Sequence, residues 1–395
     1  MDALCKIQSL NPFMHYELAE DYQLHSPSTT NVQCQGELAM LKEHFPVTHA
    51  HLPGGKTIPL LKTMQTSVCE NDCNYCCFRK GRDTERVLLT PDELADAIIK
   101  LDRAGIARGV FLSSGVFHGG ITSQDRLIAT AEVLRFKRHY QGYIHLKIMP
   151  GAEFEQVLRC MELADRVSIN LESPTPASLA RLAPHKVFFD QLLQPLKWIA
   201  EIRQNDEPKN TWKQRWPSSC TQFVVGVAGE TDLELLSLTS NLYQQYGLAR
   251  AYYSGFSPVV DTPFENLPPL NPWREHRLYQ AFFLMRDYQI DLEELEFMPA
   301  GDLPLEKDPK MFLAERQLLE QPIEINTADY KQLLRVPGIG PNKARLVMEK
   351  RQVHKIRELN QLHALGIPLS KASPFILLDG QRPDYQESLF AQIVV

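Results

Sequence analysis

Residues 67–82, SVCENDCNYCCFRKGR, hold four of the chain's eight cysteines within nine positions: Cys69, Cys73, Cys76 and Cys77. No other feature restricts the fold as strongly. Thiols gathered on one short loop need something to bind and a scaffold that presents the loop.

Composition narrows what they bind. The chain of 395 residues is 44% hydrophobic and 23% charged, enough for a full core and two or three domains. Its start, MDALCKIQSLNPF, has no basic stretch followed by an apolar one, and no apolar run approaches the roughly 18 residues of a membrane span. A cytoplasmic protein without membrane attachment is the expectation. In that reducing compartment, clustered cysteines bind metal or do redox chemistry rather than form disulfides. A net charge of -6 argues against a general nucleic-acid coat.

Three residues separate Cys69 from Cys73 and two separate Cys73 from Cys76, with Cys77 immediately after. Zinc could in principle take four such thiolates. Structural zinc sites, however, pair two separated cysteine hairpins, and adjacent Cys76 and Cys77 project in different directions. An iron-sulfur cubane is favoured, since a compact loop brings three thiolates to three irons and leaves the fourth iron without a protein ligand. An open iron points to chemistry rather than electron carriage.

This spacing, with Tyr75 just before the third cysteine, resembles the radical S-adenosylmethionine (SAM) enzymes. The resemblance implies that Cys69, Cys73 and Cys76 hold a 4Fe-4S cluster whose open iron chelates SAM. Reduction by a low-potential electron donor then releases a 5'-deoxyadenosyl radical that abstracts hydrogen from substrate. Cys77 is left as a packed thiol or a hydrogen donor.

The surrounding sequence predicts a matching scaffold. PLLKTMQTSV alternates as a strand before the loop, and LLTPDELADAIIKLDRAG follows as a helix with Thr90 as N-cap, Pro91 first and Glu93 closing a capping box. GVFLSSG, YIHLKIMPG, RVSINLES, CTQFVVGVAG and ARAYYSGFSP supply further strands with helices between most of them. Six strands alternating with helices imply parallel pairing with right-handed crossovers, a partial (β/α)6 TIM-like barrel of α/β class. In RVSINLES, Val167, Ile169 and Leu171 form the outward face, so Ser168, Asn170 and Glu172 look inward. His145 and Lys147 share an inward face too, and an inward lysine needs an anion, from a ligand or from a structural ion pair.

Superfamily resemblance extends to cofactor contacts. It implies that Asn170 and Glu172 bond ribose hydroxyls of SAM and that Ser113, Ser114 and Gly115, at the second strand's end, approach its methionine part. Gly226 is the expected contact to adenine, with a strand bulge as the alternative.

FMPAGDLPLEKDPKMF then reads as a linker, and beyond it lies EINTADYKQLLRVPGIGPNKARLVMEKRQ. Asn326 or Thr327 caps one helix, Gly338 and Gly340 make a tight turn, and Pro341 starts another. VPGIGPNKA closely resembles the helix-hairpin-helix module, in which backbone N–H groups around Gly338, Ile339 and Gly340, helped by Lys343, grip phosphate without reading bases. Residues 322–366 carry net charge +4, leaving -10 elsewhere. LNQLHALGIPLSKASPF half-matches a second hairpin.

The domains expected are an extension over 1–60, the radical SAM partial barrel over 61–298, a linker over 299–321, an all-α helix-hairpin-helix domain over 322–382 and a tail over 383–395. Wording from residue 60 to about residue 382 resembles bacterial radical SAM proteins with a C-terminal helix-hairpin-helix that are classed with DNA modification and repair. That implies an enzyme acting on DNA, with a base-excision repair protein as a candidate partner; an RNA-modifying enzyme and a non-catalytic iron-sulfur nucleic-acid-binding protein are the alternatives. Three weaker features complete the candidates: His44, His49 and His51 as metal ligands or exposed side chains, Trp212 and Trp216 as base-stacking or packed rings, and Arg79, Lys80 and Arg82 as phosphate contacts or solvated charges.

Overall fold

A computed structural model describes residues 2–17, 45–51 and 57–384. Two compact units make up the chain, one of Met1–Glu230 and Asn241–Glu275, the other of Thr231–Ser240 and His276–Val395.

The first unit is a curled seven-stranded sheet whose order follows the chain: β1 (Val47–His51), β2 (Thr57–Met64), β3 (Gly109–Ser113), β4 (Tyr143–Lys147), β5 (Arg166–Glu172), β6 (Ser218–Val225) and β7 (Arg250–Gly255). From β2 to β7 every pairing is parallel. The connections are those of a half-barrel, with α2 (Pro91–Arg103), α3 (Gly119–Glu132), α4 (Phe154–Leu163), α5 (Pro176–Leu182) and α6 (Gln194–Asn205) between successive strands, and α7 (Asp232–Tyr246), which follows β6 in sequence, divided between the two units. Its six parallel strands are the six that the sequence pattern implies. The seventh, β1, runs antiparallel to β2 from within the segment assigned to the extension. Its five residues, VTHAH, are too short and too polar to register as an alternating strand.

Local chemistry accounts for the elements. Thr90 Oγ1 accepts from Glu93 N–H while the Glu93 carboxylate accepts from Thr90 N–H at 2.8 Å, which is the expected capping box. Val167, Ile169 and Leu171 are fully buried on the face of β5 opposite Ser168 and Asn170. α1 (Ala3–Ser9) precedes a short 3-10 helix of two turns, Asn11–Tyr16.

The second unit is mostly helical. It contains α9 (Pro309–Leu318), α10 (Tyr330–Arg335), α11 (Pro341–Val353), α12 (Leu359–Ala364) and α13 (Leu369–Ala372), with β8 (Ile323–Glu324) and β9 (Ile376–Leu377) paired in parallel. α8 (Pro272–Tyr288) crosses the boundary between the units in sequence. Leu333, Leu334, Val336, Ile339, Ala344 and Val347 are buried together and hold α10 against α11. Asp329, not Asn326 or Thr327, caps α10: its side chain accepts from Gln332 N–H, while Asn326 spans Glu324 and the Ile356 carbonyl. An aspartate three residues before a glutamine makes the reciprocal box that neither upstream residue can. The half-matched second hairpin is α12 and α13, joined through Gly366 at φ +75°. Among the described residues, no helix is long and apolar enough to cross a membrane.

Candidate functional site

Strand ends converge on one edge of the sheet, as they do wherever parallel strands run in register. The cysteine loop leaves β2 there and returns beside it. Leu89 N–H reaches Gln65 O and the Gln65 side-chain amide returns a bond to Leu89 O, Ser67 N–H reaches Val87 O, and Thr66 Oγ1 also donates to Val87 O. This two-strand neck closes residues 68–86 into a loop. Arg86 sits at the neck and donates to four carbonyls, those of Ser67, Phe78, Arg79 and Arg82, at 2.8–3.1 Å. Asn74 fastens the far side, its N–H on Leu182 O and its amide on Arg181 O. Glu70 takes the N–H groups of His118 and Gly119 at the start of α3.

The result is a cavity lined by Cys69, Cys73 and Cys76 together with Ser113, Ser114, Gly115, Asn170 and Glu172, so five of the six candidate cofactor residues meet the three candidate metal ligands. Gly226 is the exception. Its N–H bonds the Glu230 carboxylate at 2.5 Å and its φ is +106°, and a Cβ there would lie 2.4 Å from Leu270, so it serves a turn outside the lining.

All three thiols are unpaired. Burial pushes Cys69 up and Cys73 up to about 12, while a hydrogen bond from the Cys76 thiol to Cys77, together with burial, holds Cys76 well above the ordinary range. As thiols they are neutral; a metal that takes them as thiolates displaces their protons. Two receive backbone donors suited to a bound thiolate: Val116 N–H points at Cys69 Sγ and Phe78 N–H at Cys76 Sγ, both at 3.4 Å. Among the described residues, no three His, Cys, Asp or Glu side chains converge on one point as a single ion requires. A cubane instead needs its thiolates around a common volume, one per iron, and these three share one.

Gly115 is where β3 touches the loop. A Cβ at that position would stand 2.3 Å from Val68 O, so only glycine lets the strand end lie against the cysteine loop.

Glu172, 2% exposed, ends β5 at φ +66°, where the strand register shifts. Burial raises its pKa, yet the charges of Lys186 and Lys147 overcome this and hold the carboxylate below its usual range. Lys186 Nζ donates to Glu172 Oε1 at 2.7 Å, both groups buried. Burial works against the lysine's charge and is outweighed by Cys73, when it is a thiolate, and by the Glu172 carboxylate, so Lys186 stays an ammonium. Glu172 Oε2 is buried with no hydrogen bond closed on it among the described residues, although the buried Tyr75 hydroxyl lies near enough to the carboxylate to favour its ionised form; a ligand hydroxyl would satisfy this oxygen. The donor set, the backbone N–H groups and this orphaned oxygen fit a cluster and a ribose-bearing cofactor.

Phe13, Met14, Tyr16 and Glu17 form another wall. Phe13 meets the Phe78 ring edge-on at 5.1 Å, Gln222 donates to Tyr16 O, and Glu17 pairs with Lys147. Lys147 thus has the anion that its inward position demands, and it is protein. The cavity's volume of about 140 Å³ is below the roughly 300–1,000 Å³ of small-molecule sites. To admit a nucleoside this wall has to move, since the other walls are sheet and braced loop.

His145 lies deeper, its Nε2 2.8 Å from Ser168 Oγ and its ring edge-on to Phe111, a packed core histidine. Arg79 and Arg82 turn back onto loop carbonyls, Trp212 stacks under the Arg135 guanidinium at 4.3 Å, and Trp216 Nε1 bonds Asp206 O. His49 and His51 fall in β1 and His44 lies outside the described residues. Arg86, Lys186 and Glu17 carried no signal in the sequence, because each acts on partners distant along the chain or on bare carbonyls.

In the second unit, Gly338, Ile339, Gly340 and Lys343 line one open groove of about 1220 Å³. Gly338 has φ +83° and a Cβ on it would lie 2.7 Å from Pro368. The N–H groups of Gly338 and Gly340 make no hydrogen bond among the described residues, whereas Ile339 N–H is taken by Val336 O. Ile339 therefore contributes a buried side chain and a carbonyl to the turn, not the phosphate donor expected of it. Lys343 Nζ donates to Gly338 O at 3.3 Å.

Residues 64–240 match the model of the Radical SAM superfamily, and residues 320–366 that of the helix-hairpin-helix motif. The chain carries a radical SAM domain. Radical SAM domains belong to enzymes that use a 4Fe-4S cluster and SAM, and Cys69, Cys73 and Cys76 of this chain line one cavity. Among curated proteins the chain is similar to the 7,8-didemethyl-8-hydroxy-5-deazariboflavin synthase of Methanosarcina barkeri, 22% identical over 213 residues, 51% of this chain and 62% of that protein. The match thus spans less than two thirds of that relative. Solved structures similar to it include the FeFe-hydrogenase maturase HydG of Carboxydothermus hydrogenoformans (16% identity, TM-score 0.46, 57% of this chain and 51% of that one). Methylornithine synthase PylB is another (16%, TM-score 0.44, 57% and 62%).

Proposed function

We propose that this chain is a radical SAM enzyme acting on nucleic acid, in the modification or repair of DNA. The observation that carries the reading is the pairing, in one polypeptide, of a cavity fitted for cluster and cofactor with a helix-hairpin-helix groove. When bound, the cluster and SAM supply a 5'-deoxyadenosyl radical for hydrogen abstraction.

The chain's own residues hold and shield. Arg86 and the neck bonds keep the cysteine loop open toward the cavity, and Gly115 lets β3 reach it. Glu172, held ionised by Lys186, offers Oε2 to a ribose hydroxyl, with Asn170 beside it. Ser113 and Ser114 lie where the methionine part would sit. The wall of residues 13–17, which has to move to admit SAM, would then cover it. In the groove, Gly338 and Gly340 N–H face a backbone phosphate, which gives affinity without base preference and a strong salt dependence. A low-potential donor and a base-excision protein are the partners this activity calls for.

Anaerobic turnover with deuterated DNA and RNA oligonucleotides tests the reading. Deuterium should appear in 5'-deoxyadenosine with DNA, and Cys73→Ala should abolish SAM cleavage. SAM cleavage with transfer from RNA alone would reassign the substrate; wild-type cleavage by Cys73→Ala would remove the enzyme.

A further inference from the structure

Lys310 lies in α9, outside the residues of the helix-hairpin-helix match, yet it lines the hairpin groove. Only 8% of it is exposed. Its Nζ donates to Ile339 O, at the centre of the turn, at 2.5 Å and stands 4.5 Å from the centroid of the Tyr288 ring. An ammonium carries three donors, and one carbonyl with one ring face leaves at least one of them over.

No carboxylate pairs with it among the described residues. Asp308, the nearest acid in sequence, spends Oδ1 on the N–H groups of Lys310 and Met311 as the cap of α9, and Oδ2 on Gln280 Nε2. Asp287 is paired with Arg286. The other charged groups of the groove, Lys343, Arg345 and Lys371, are all cations, with Tyr288 and Tyr330 beside them. A buried ammonium without counter-ion costs stability that a methionine of similar shape would not. An anion in the groove would supply what it lacks.

We propose that Lys310 is a phosphate ligand of the hairpin groove, brought to the turn from a helix outside the motif, so that it and Lys343 flank the Gly338 and Gly340 N–H groups on one backbone phosphate. This rests on the nucleic-acid reading given above. Burial and the charge of Lys343 lower the pKa of Lys310 to about 7, with Asp308 acting the other way. The free protein therefore loses this charge just above neutrality, and a phosphate restores it. Binding takes up a proton.

The test uses the full chain, a labelled duplex DNA of arbitrary sequence and a labelled single-stranded RNA, with Kd read by anisotropy from pH 6 to 9 at fixed ionic strength. Above about pH 7.5 the wild-type affinity should fall by about tenfold per pH unit. Calorimetry at pH 8 in two buffers of different ionisation heat should read uptake of close to one proton. Lys310→Met should flatten the pH profile and lower the slope of log Kd against log salt by about one. Lys310→Arg, charged throughout, should bind without the pH dependence. Wild-type proton uptake near zero, or a Lys310→Met protein with the wild-type pH profile and salt slope, overturns the assignment. Gly338→Ala separates the two claims. Binding that it abolishes while Lys310 variants change nothing sinks this inference alone; absent binding, or binding indifferent to Gly338→Ala, sinks the nucleic-acid reading with it.

Discussion

Replacing Arg86 by methionine should open the cysteine loop without unfolding the sheet. Its guanidinium reaches four carbonyls across residues 67–82, and among the described residues no other side chain ties the Ser67 carbonyl to the turn at 78–82. Hydrogen bonds from a charged donor contribute about 1.5–3 kcal/mol each when buried, but these are only partly buried, and water replaces some of them. A net loss of about 2–4 kcal/mol is expected for the four. Because the neck pairs 65–67 with 87–89 independently, the loss should register as local opening. Hydrogen exchange of a peptide spanning 68–86 should then be about 30- to 1,000-fold faster in the apoprotein, while a β5 peptide exchanges as in wild type. Lys at this position reaches fewer carbonyls from a single nitrogen and should fall between the two. Exchange in Arg86→Met within about threefold of wild type would refute the brace.

Gly115→Ala should lose most iron after anaerobic reconstitution, because its Cβ meets the Val68 carbonyl at 2.3 Å and a backbone atom cannot rotate aside as a side chain would; a full iron content would show that the contact is relieved cheaply. Lys186→Met leaves Glu172 buried without its cation and should cost about 3–5 kcal/mol in urea unfolding, most of it recovered in Lys186→Met with Glu172→Leu. Additive losses would mean the two do not act as a pair. The pKa of Lys310 is lowered by folding, so the unfolded chain binds the extra proton between about pH 7 and its ordinary value; stability should rise with pH through that window by up to about 1.4 kcal/mol per unit, and Lys310→Met should remove the rise. Glu17→Gln frees the Lys147 ammonium and should tighten equilibrium binding of SAM severalfold; an unchanged Kd would show that the 13–17 wall is not what the ligand displaces.

Much of this protein is written in patterns of a few consecutive residues. Strand alternation, the Thr90 capping box, the Gly-Ile-Gly turn and the cysteine spacing each depend on bonds or faces within one or two turns of chain, so the six parallel strands, the helices and the cluster loop were legible in order. Lys147 could be read as inward, since a period of two assigns it a face, but its partner Glu17 lies 130 positions away and no pattern names it. Lys186 and Arg86 were invisible for the same reason: a cation that serves a distant carboxylate or bare carbonyls looks like any surface charge. Gly226 and Ile339 carried the expected local signature, but Leu270 and Glu230 occupy the space and the N–H of one, and the Val336 carbonyl, from within the same motif, takes the N–H of the other. The sequence by itself determined which chemistry the chain can host and the order of its elements; the tertiary structure decided which groups stand charged, orphaned or spent within reach of it, because burial and pairing are set by residues that meet only after the chain has folded.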